Sequence, residues 1–306
     1  MYLLFVGLCA VVCACSDDSN DPGPIDAPAV MPPEPLDVTW IHGSEVCQDN
    51  VDPPIQIYQF DADTYILRQN KCLNYEAPFI FLLFGDERVF MQDTGATESA
   101  LEFPIADTVR NIIDAWLQDR GLASIELVVT HSHGHGDHVA GDIQFIGQPN
   151  TTLVEATVPE LQAFFGITDW PTEIVEYDLG GRVLDIVGIP GHEEAHVAVY
   201  DERTGLLLTG DSLYPGRLYV RDFDAYRDSI QRLVALVADR TVNHVLGTHI
   251  EMTSTPGVDY PLGTTYQPDE SPLELSRAHL EELDSALQAM ETPELEVHDK
   301  FIIYPL

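Results

Sequence analysis

The segment Thr130-His131-Ser132-His133-Gly134-His135-Gly136-Asp137-His138 places four histidines and one aspartate within eight positions. Neutral imidazole and carboxylate are the ligand types that hold zinc and related divalent ions. His133 and His135, one residue apart in a loop, can face one ion, while Asp137 and His138 can turn toward a second. Gly134 and Gly136 are expected to supply the tight backbone that this crowding needs. The segment follows the apolar run Ile125-Glu126-Leu127-Val128-Val129, which reads as a buried strand. It precedes Val139-Ala140-Gly141, which reads as a first helical turn. A polar cluster at the end of a core strand is where an α/β protein places a site.

Three other strand-like stretches end in ligand-type residues. Gly188-Ile189-Pro190-Gly191 delivers His192 through a Pro-Gly turn. Leu206-Leu207-Leu208-Thr209-Gly210 ends in Asp211, an acid that is costly after an apolar strand unless it meets solvent or a cation. Val245-Leu246-Gly247-Thr248 ends in His249. Each is weak alone; four strand ends finishing this way form a joint pattern. After Asp211, the segment Ser212-Leu213-Tyr214-Pro215-Gly216-Arg217-Leu218-Tyr219-Val220-Arg221 supplies Tyr214, Tyr219 and Arg221 as candidate substrate contacts.

Taken together, these residues resemble the metallo-β-lactamase fold superfamily of metallohydrolases over residues 55–250. His133, His135, Asp137 and His138 match its H-x-H-x-D-H motif, His192 its third motif, Asp211 its bridging carboxylate and His249 its last histidine. The resemblance implies a four-layer αβ/βα sandwich of the α/β class and two divalent ions. His133, His135 and His192 would hold the first, Asp137, His138 and His249 the second, with Asp211 shared. Zinc suits these donors, and iron or manganese would accept them. Two such ions would generate a bridging hydroxide at neutral pH and polarise a carbonyl or phosphoryl oxygen. Asp137 would orient that nucleophile or relay its proton. Asp93, in Gln92-Asp93-Thr94-Gly95, resembles the acid that supports the site from behind. His131 reads as a neighbour of the site and His196 as a packing residue, while His42, His244, His279 and His298 have no supporting context.

The elements that must carry these residues alternate. Strands are expected near 55–60, 63–69, 78–84, 87–92, 125–130, 152–155, 173–177, 183–189, 196–200, 206–209 and 242–246. Helices are expected over 108–121, 223–238 and 273–290, the first from the spacing of Val109, Ile112, Ile113, Trp116 and Leu117 before a Gly stop. This alternation points to layered α/β architecture. Domain boundaries follow: residues 1–14 as an export signal, 15–38 as an acidic, Pro-rich tether, and 39–306 as the catalytic domain.

Residues 1–14 are apolar and uncharged, too short to span a bilayer and suited to a signal-peptide core. Val12-Cys13-Ala14-Cys15 resembles a bacterial lipobox, which would make Cys15 the lipidated residue; Ser16 would favour the outer membrane, and the lipid would be the sole membrane contact. Cys13 and the lack of Lys or Arg before Arg68 depart from that pattern, and simple cleavage remains the other reading. In an oxidising compartment the two body cysteines, Cys47 and Cys72, are expected to form a disulfide.

The net charge of −37, from 51 acidic and 14 basic residues, argues against nucleic acid and anionic lipid as partners. With Lys71 and Lys300 as the only lysines, a glutathione thioester lacks an obvious basic patch to receive it. The expected activity is hydrolysis of a small ester, lactone or related carbonyl compound. The alternatives are a β-lactam or glyoxalase II-like thioester hydrolase, a phosphodiesterase, an oxidoreductase and a non-catalytic metal-binding lipoprotein.

Overall fold

The computed structural model describes residues 35–306, so the expected signal segment, Cys15 and most of the tether lie outside the described residues. Leu36 and Val38, expected at the end of the tether, already pack against the core beside Trp40, and Leu36 N–H donates to Glu274.

The first half of the chain builds one six-stranded sheet. Its strands are β1 (Ile55–Asp61), β2 (Thr64–Gln69), β3 (Phe79–Phe84) and β4 (Arg88–Gln92), then, after helix α1 (Ile105–Arg120), β5 (Glu126–Thr130). The short helix α2 (Gly136–Val139) leads on to β6 (Thr151–Leu153), and helix α3 (Val158–Phe165) leaves the sheet. The strands lie in sequence order, antiparallel from β1 to β4 and parallel from β4 to β6.

The second half builds another six-stranded sheet from β7 (Ile174–Asp178), β8 (Val183–Gly188), β9 (Val197–Asp201) and β10 (Leu206–Gly210). Strand β11 (Arg217–Val220) then departs to a small third sheet. After helix α4 (Phe223–Leu236), β12 (His244–Gly247) pairs parallel to β10, and β13 (Glu274–Leu275) closes the edge before helix α5 (Arg277–Ala289). Strands β14 (Glu296–Val297) and β15 (Ile302–Pro305) complete the small sheet, with β15 parallel to β11.

Side-chain alternation decides the layering. In β3, Phe79, Phe81 and Leu83 face inward with Ile66, Phe90 and Val128 and meet Leu184, Ile186, Val199 and Leu208 of the second sheet. Ile80, Leu82 and Phe84 face outward onto Val109, Ile112, Ile113 and Trp116 of α1. On the far side, Tyr200, Leu207 and Val245 pack under Tyr226, Ile230 and Leu233 of α4 and Leu280, Leu283 and Leu287 of α5. The result is helix, sheet, sheet, helix: the four-layer αβ/βα sandwich. Strands buried on both faces must read as continuous apolar runs, and Phe79–Phe84 does.

Buried Arg182 ties the sheets together. Its Nε and Nη2 donate to Asp201 at 3.2 and 2.6 Å, Nη1 to the carbonyls of Asp63 and Phe84, and Nη2 also to Thr64 Oγ1. A charge buried this deeply is tolerated because every donor finds an acceptor.

Candidate metal centre

The ends of β5, β8, β10 and β12 converge, each followed by the residue that the strand delivers. Past β5, His133, His135, Asp137 and His138 wind into α2; His192 follows β8, Asp211 follows β10, and His249 follows β12. Glycine is required where the polypeptide passes close by. Gly191 has φ +138, and a Cβ there would come 2.4 Å from Tyr226 Cα. Gly210 has φ +52, and a Cβ would lie 2.4 Å from His196 Nε2. The expected need for both glycines of the histidine loop is corrected. A Cβ at Gly134 would meet Ala156 O at 3.2 Å, but at Gly136 it would meet nothing within 4 Å.

Seven side chains form two four-ligand groups that share Asp211. His133, His135, His192 and Asp211 make one; Asp137, His138, Asp211 and His249 make the other. In the first, His135 Nδ1 lies 2.8 Å from His133 Nε2 and 3.0 Å from His192 Nε2, and Asp211 Oδ2 is 3.5 Å from His192 Nε2. In the second, His249 Nε2 is 3.3 Å from both Asp137 Oδ2 and Asp211 Oδ1, and His138 Nε2 is 3.2 Å from Asp137 Oδ2. The structure brings together the two sets of residues that the resemblance implies for the two ions.

The outer ring nitrogens show why the inner ones suit a metal. His192 Nδ1 is 2.8 Å from the Tyr219 carbonyl, His249 Nδ1 3.0 Å from the Glu76 carbonyl, and His138 Nδ1 3.0 Å from Asp93 Oδ2. Carbonyls and carboxylates only accept, so each Nδ1 carries the proton and donates it. In the neutral ring the Nε2 lone pair then faces the centre. His138 Nε2 is buried and makes no hydrogen bond of its own. An orphaned buried nitrogen of this kind is expensive unless something fills the space in front of it. The donor set, imidazole with carboxylate, fits a divalent ion there.

The electrostatics agree. Burial, reinforced by neighbouring histidines, holds His133 well below the usual imidazole range and His135 down at about 4, so both stay neutral. Burial lowers His192 as well. Burial also opposes charge on His138 and His249, but the carboxylates overcome it: Asp137, Asp93 and Asp211 raise His138, and Asp211 and Asp137 raise His249. Asp137 and Asp211 are held ionised against burial, chiefly by His138 and by His249 respectively. Acids that must stay negative this far from water demand a positive charge between them. Protons on His138 and His249 can supply it, and a divalent ion would displace those protons.

Asp93 takes its place behind the centre: its Oδ1 accepts from Ser132 N–H at 2.6 Å, and Ser132 Oγ reaches Asp93, His133 and His138 together. His131 turns away, pairing with Val154 O and with Asp142 Oδ1 at 2.8 Å. His196 is fully buried and stacks on His133 with ring centroids 4.7 Å apart. Cys47 and Cys72 are joined in a disulfide, with Cα atoms 5.1 Å apart.

A cleft of about 320 Å³ opens over the centre, lined by Tyr75, Glu76, Tyr219, Arg221 and Glu251 among others. Tyr219 borders it with its hydroxyl accepting from Arg217 Nε at 3.1 Å, which leaves its own proton to donate. Burial, with Glu251 nearby, raises its pKa and keeps it neutral. Arg221 is exposed at the rim. Tyr214 also lines the cleft; it is 2% exposed, and its hydroxyl donates to the Arg217 carbonyl beside Glu251. Tyr75 and Glu76, between β2 and β3, join the cleft wall without belonging to any motif. Nothing in their sequence marks them, because Glu76 reaches the centre through its backbone carbonyl.

Comparison with known proteins gives the same family. The model of the metallo-beta-lactamase superfamily matches residues 75–287. Hydroxyacylglutathione hydrolase of Rhizobium meliloti (strain 1021) is 30% identical over 141 residues, 44% of this chain and 52% of that protein. The enzyme of the same name from Aeromonas hydrophila is 30% identical over 171 residues, 54% of this chain and 59% of that protein. The chain thus spans about half the length of these curated relatives. Among solved structures, the metallo-beta-lactamase from Pontibacter korlensis is 16% identical with a TM-score of 0.49, covering 77% of this chain and 100% of that one. Since the family model covers most of the chain, and two metal-ligand groups stand where its motifs require, this protein belongs to the metallo-beta-lactamase superfamily.

Proposed function

We propose that the chain is a dinuclear metal-dependent hydrolase acting on a small acyl compound: an ester, a lactone or a thioester. The observation that carries this reading is the pair of four-ligand groups sharing Asp211 at the floor of an open cleft. Divalent cations held there, zinc being well suited, would supply Lewis acidity and activate water near neutral pH. The chain's own residues do the rest. Asp137, whose side chain is 20% exposed, is the ligand carboxylate that the cleft reaches most openly, and as an ionised acceptor it orients the attacking group. Tyr219 donates its hydroxyl proton toward the oxygen that gains charge. Among the described residues, neither serine nor cysteine lines the cleft as a nucleophile.

The relatives named hydroxyacylglutathione hydrolase favour the thioester within this class. The cleft favours a compact leaving group, because Glu76 and Glu251 line it and Arg217 is committed to Glu251 and Asp259, leaving Arg221 as its unpaired cation among the described residues. Export through residues 1–14 with lipidation at Cys15 is proposed on sequence grounds alone.

The test is metal-loaded protein assayed across lactones, simple thioesters, a hydroxyacylglutathione, β-lactams and phosphodiesters. Turnover of the acyl substrates is expected, with loss of at least about 100-fold in His133→Ala and a smaller fall in kcat for Tyr219→Phe. Activity that survives His133→Ala would sink the mechanism. Turnover confined to phosphodiesters would replace the substrate class.

A further inference from the structure

Four ligand histidines have the outer ring nitrogen held by a neighbour, and three of these holders are secured by the elements around the site. Ser132, at His133, lies two residues past β5, Asp93, at His138, directly follows β4, and Tyr219, at His192, lies within β11. The fourth is different. Glu76, whose carbonyl holds His249, lies in the irregular segment between β2 and β3, where no strand ladder fixes its peptide.

That segment is fixed by other means. Cys72 is bonded to Cys47, in a short turn 25 residues earlier. Asn70 accepts from Cys72 N–H at 2.8 Å and donates to Asn50 Oδ1 and the Pro53 carbonyl. Asn74 Oδ1 accepts from Glu76 N–H at 3.0 Å, while Asn74 Nδ2 donates to the Ala96 carbonyl at 3.0 Å. The next residue, Ala77, has φ +44, a left-handed conformation that is unfavourable for an alanine and persists only where the surroundings impose it. Phe79 N–H then donates to the Thr248 carbonyl, one residue before His249. Disulfide, asparagine pair and strained alanine all converge on the orientation of one carbonyl.

We propose that the Cys47–Cys72 disulfide and Asn74 are positioning groups for the second metal subsite: they fix the Glu76 carbonyl that orients the His249 ring. The proposal rests on the dinuclear reading above. Its consequence is selective. Loosening the segment frees His249, which belongs to the group of Asp137, His138 and Asp211, and leaves the other group alone, where His133 and His192 keep their own holders.

Cobalt(II) chloride titrated into the metal-free full chain is the probe, followed by bound-metal analysis and the visible ligand-field spectrum. The wild-type chain is expected to bind two ions. In Cys47→Ala/Cys72→Ala, and separately in Asn74→Ala, the first ion should bind as in wild type. The second should weaken by about 10–100-fold, with the spectral change confined to it. Asn74→Asp, which keeps the acceptor for Glu76 N–H, should recover much of the second affinity; a merely structural role for Asn74 predicts no such rescue. The Asn74 variants retain the disulfide and decide the matter if the cysteine variant does not fold. Two ions bound with wild-type affinity and spectra in every variant would overturn the proposal, as would equal weakening of both ions. A wild-type chain that binds fewer than two ions would overturn the dinuclear reading itself, and this proposal with it.

Discussion

Asp93 shows how much one side chain behind a metal centre can decide. It is fully buried, its carboxylate faces His138 Nδ1 at 3.0 Å, and its backbone adopts φ +70. Asp93→Asn keeps the shape and tolerates that backbone conformation, but it removes the charge and points an amide donor at a ring nitrogen that must itself donate. Zinc retention against a competing chelator is therefore expected to fall by about 10–100-fold while far-UV circular dichroism stays unchanged. Equal retention would mean that the His138 tautomer is set elsewhere. At this scale the sequence was most legible. Ligand residues announce themselves by type and spacing, and His131 is set apart from the motif although it shares the segment. What stayed hidden works through backbone atoms or borrowed geometry: the Glu76 carbonyl, Ser132 bridging Asp93 to two ligands, and the Tyr214 hydroxyl turned toward Arg217.

Elements differ in how openly their sequence declares them. Strands buried on both faces, such as Phe79–Phe84 and Leu206–Gly210, declare themselves as apolar runs, and α1 and α4 by helical spacing. Helix α5 begins at Arg277, later than its apolar spacing suggests, because Ser276 caps it and Glu274–Leu275 pairs with β12 instead. Strands β11 and β15 escape detection since each is four residues long and exists through its distant partner. Arg182 is invisible for the same reason: nothing local marks it as the tie between sheets. Arg182→Met would leave Asp201 buried without its counter-charge, a loss of about 3–5 kcal/mol. Urea unfolding should show that loss as a lower midpoint with little change in slope. A shift below about 1 kcal/mol would show that Asp201 finds another partner.

Across the whole molecule, acidic surface and buried base pull in opposite directions. Lys71 is 2% exposed, its Nζ donates to the Tyr75 carbonyl at 2.9 Å, and burial, helped by Arg68, lowers its pKa to about 8. Below pH 8 both the folded and the unfolded chain carry this charge, and the folded state bears the full cost of burying it. Between pH 8 and the ordinary lysine value the folded chain releases a proton that the unfolded chain keeps, so this group's contribution to stability rises with pH. Compared with wild type, Lys71→Met should raise Tm at pH 7, and the advantage should shrink as the pH approaches 10. An advantage that stays constant with pH would show that folded Lys71 keeps its proton up to the ordinary lysine range.

The small third sheet gives the end of the fold unexpected leverage. Ile302–Pro305 lies parallel to β11, pairing Tyr304 with Tyr219, and Tyr219 lends its carbonyl to His192 and its ring to the cleft wall. Leu306 borders the same cleft. Any change that loosens this edge would therefore reach the floor of the cleft through a single strand pairing.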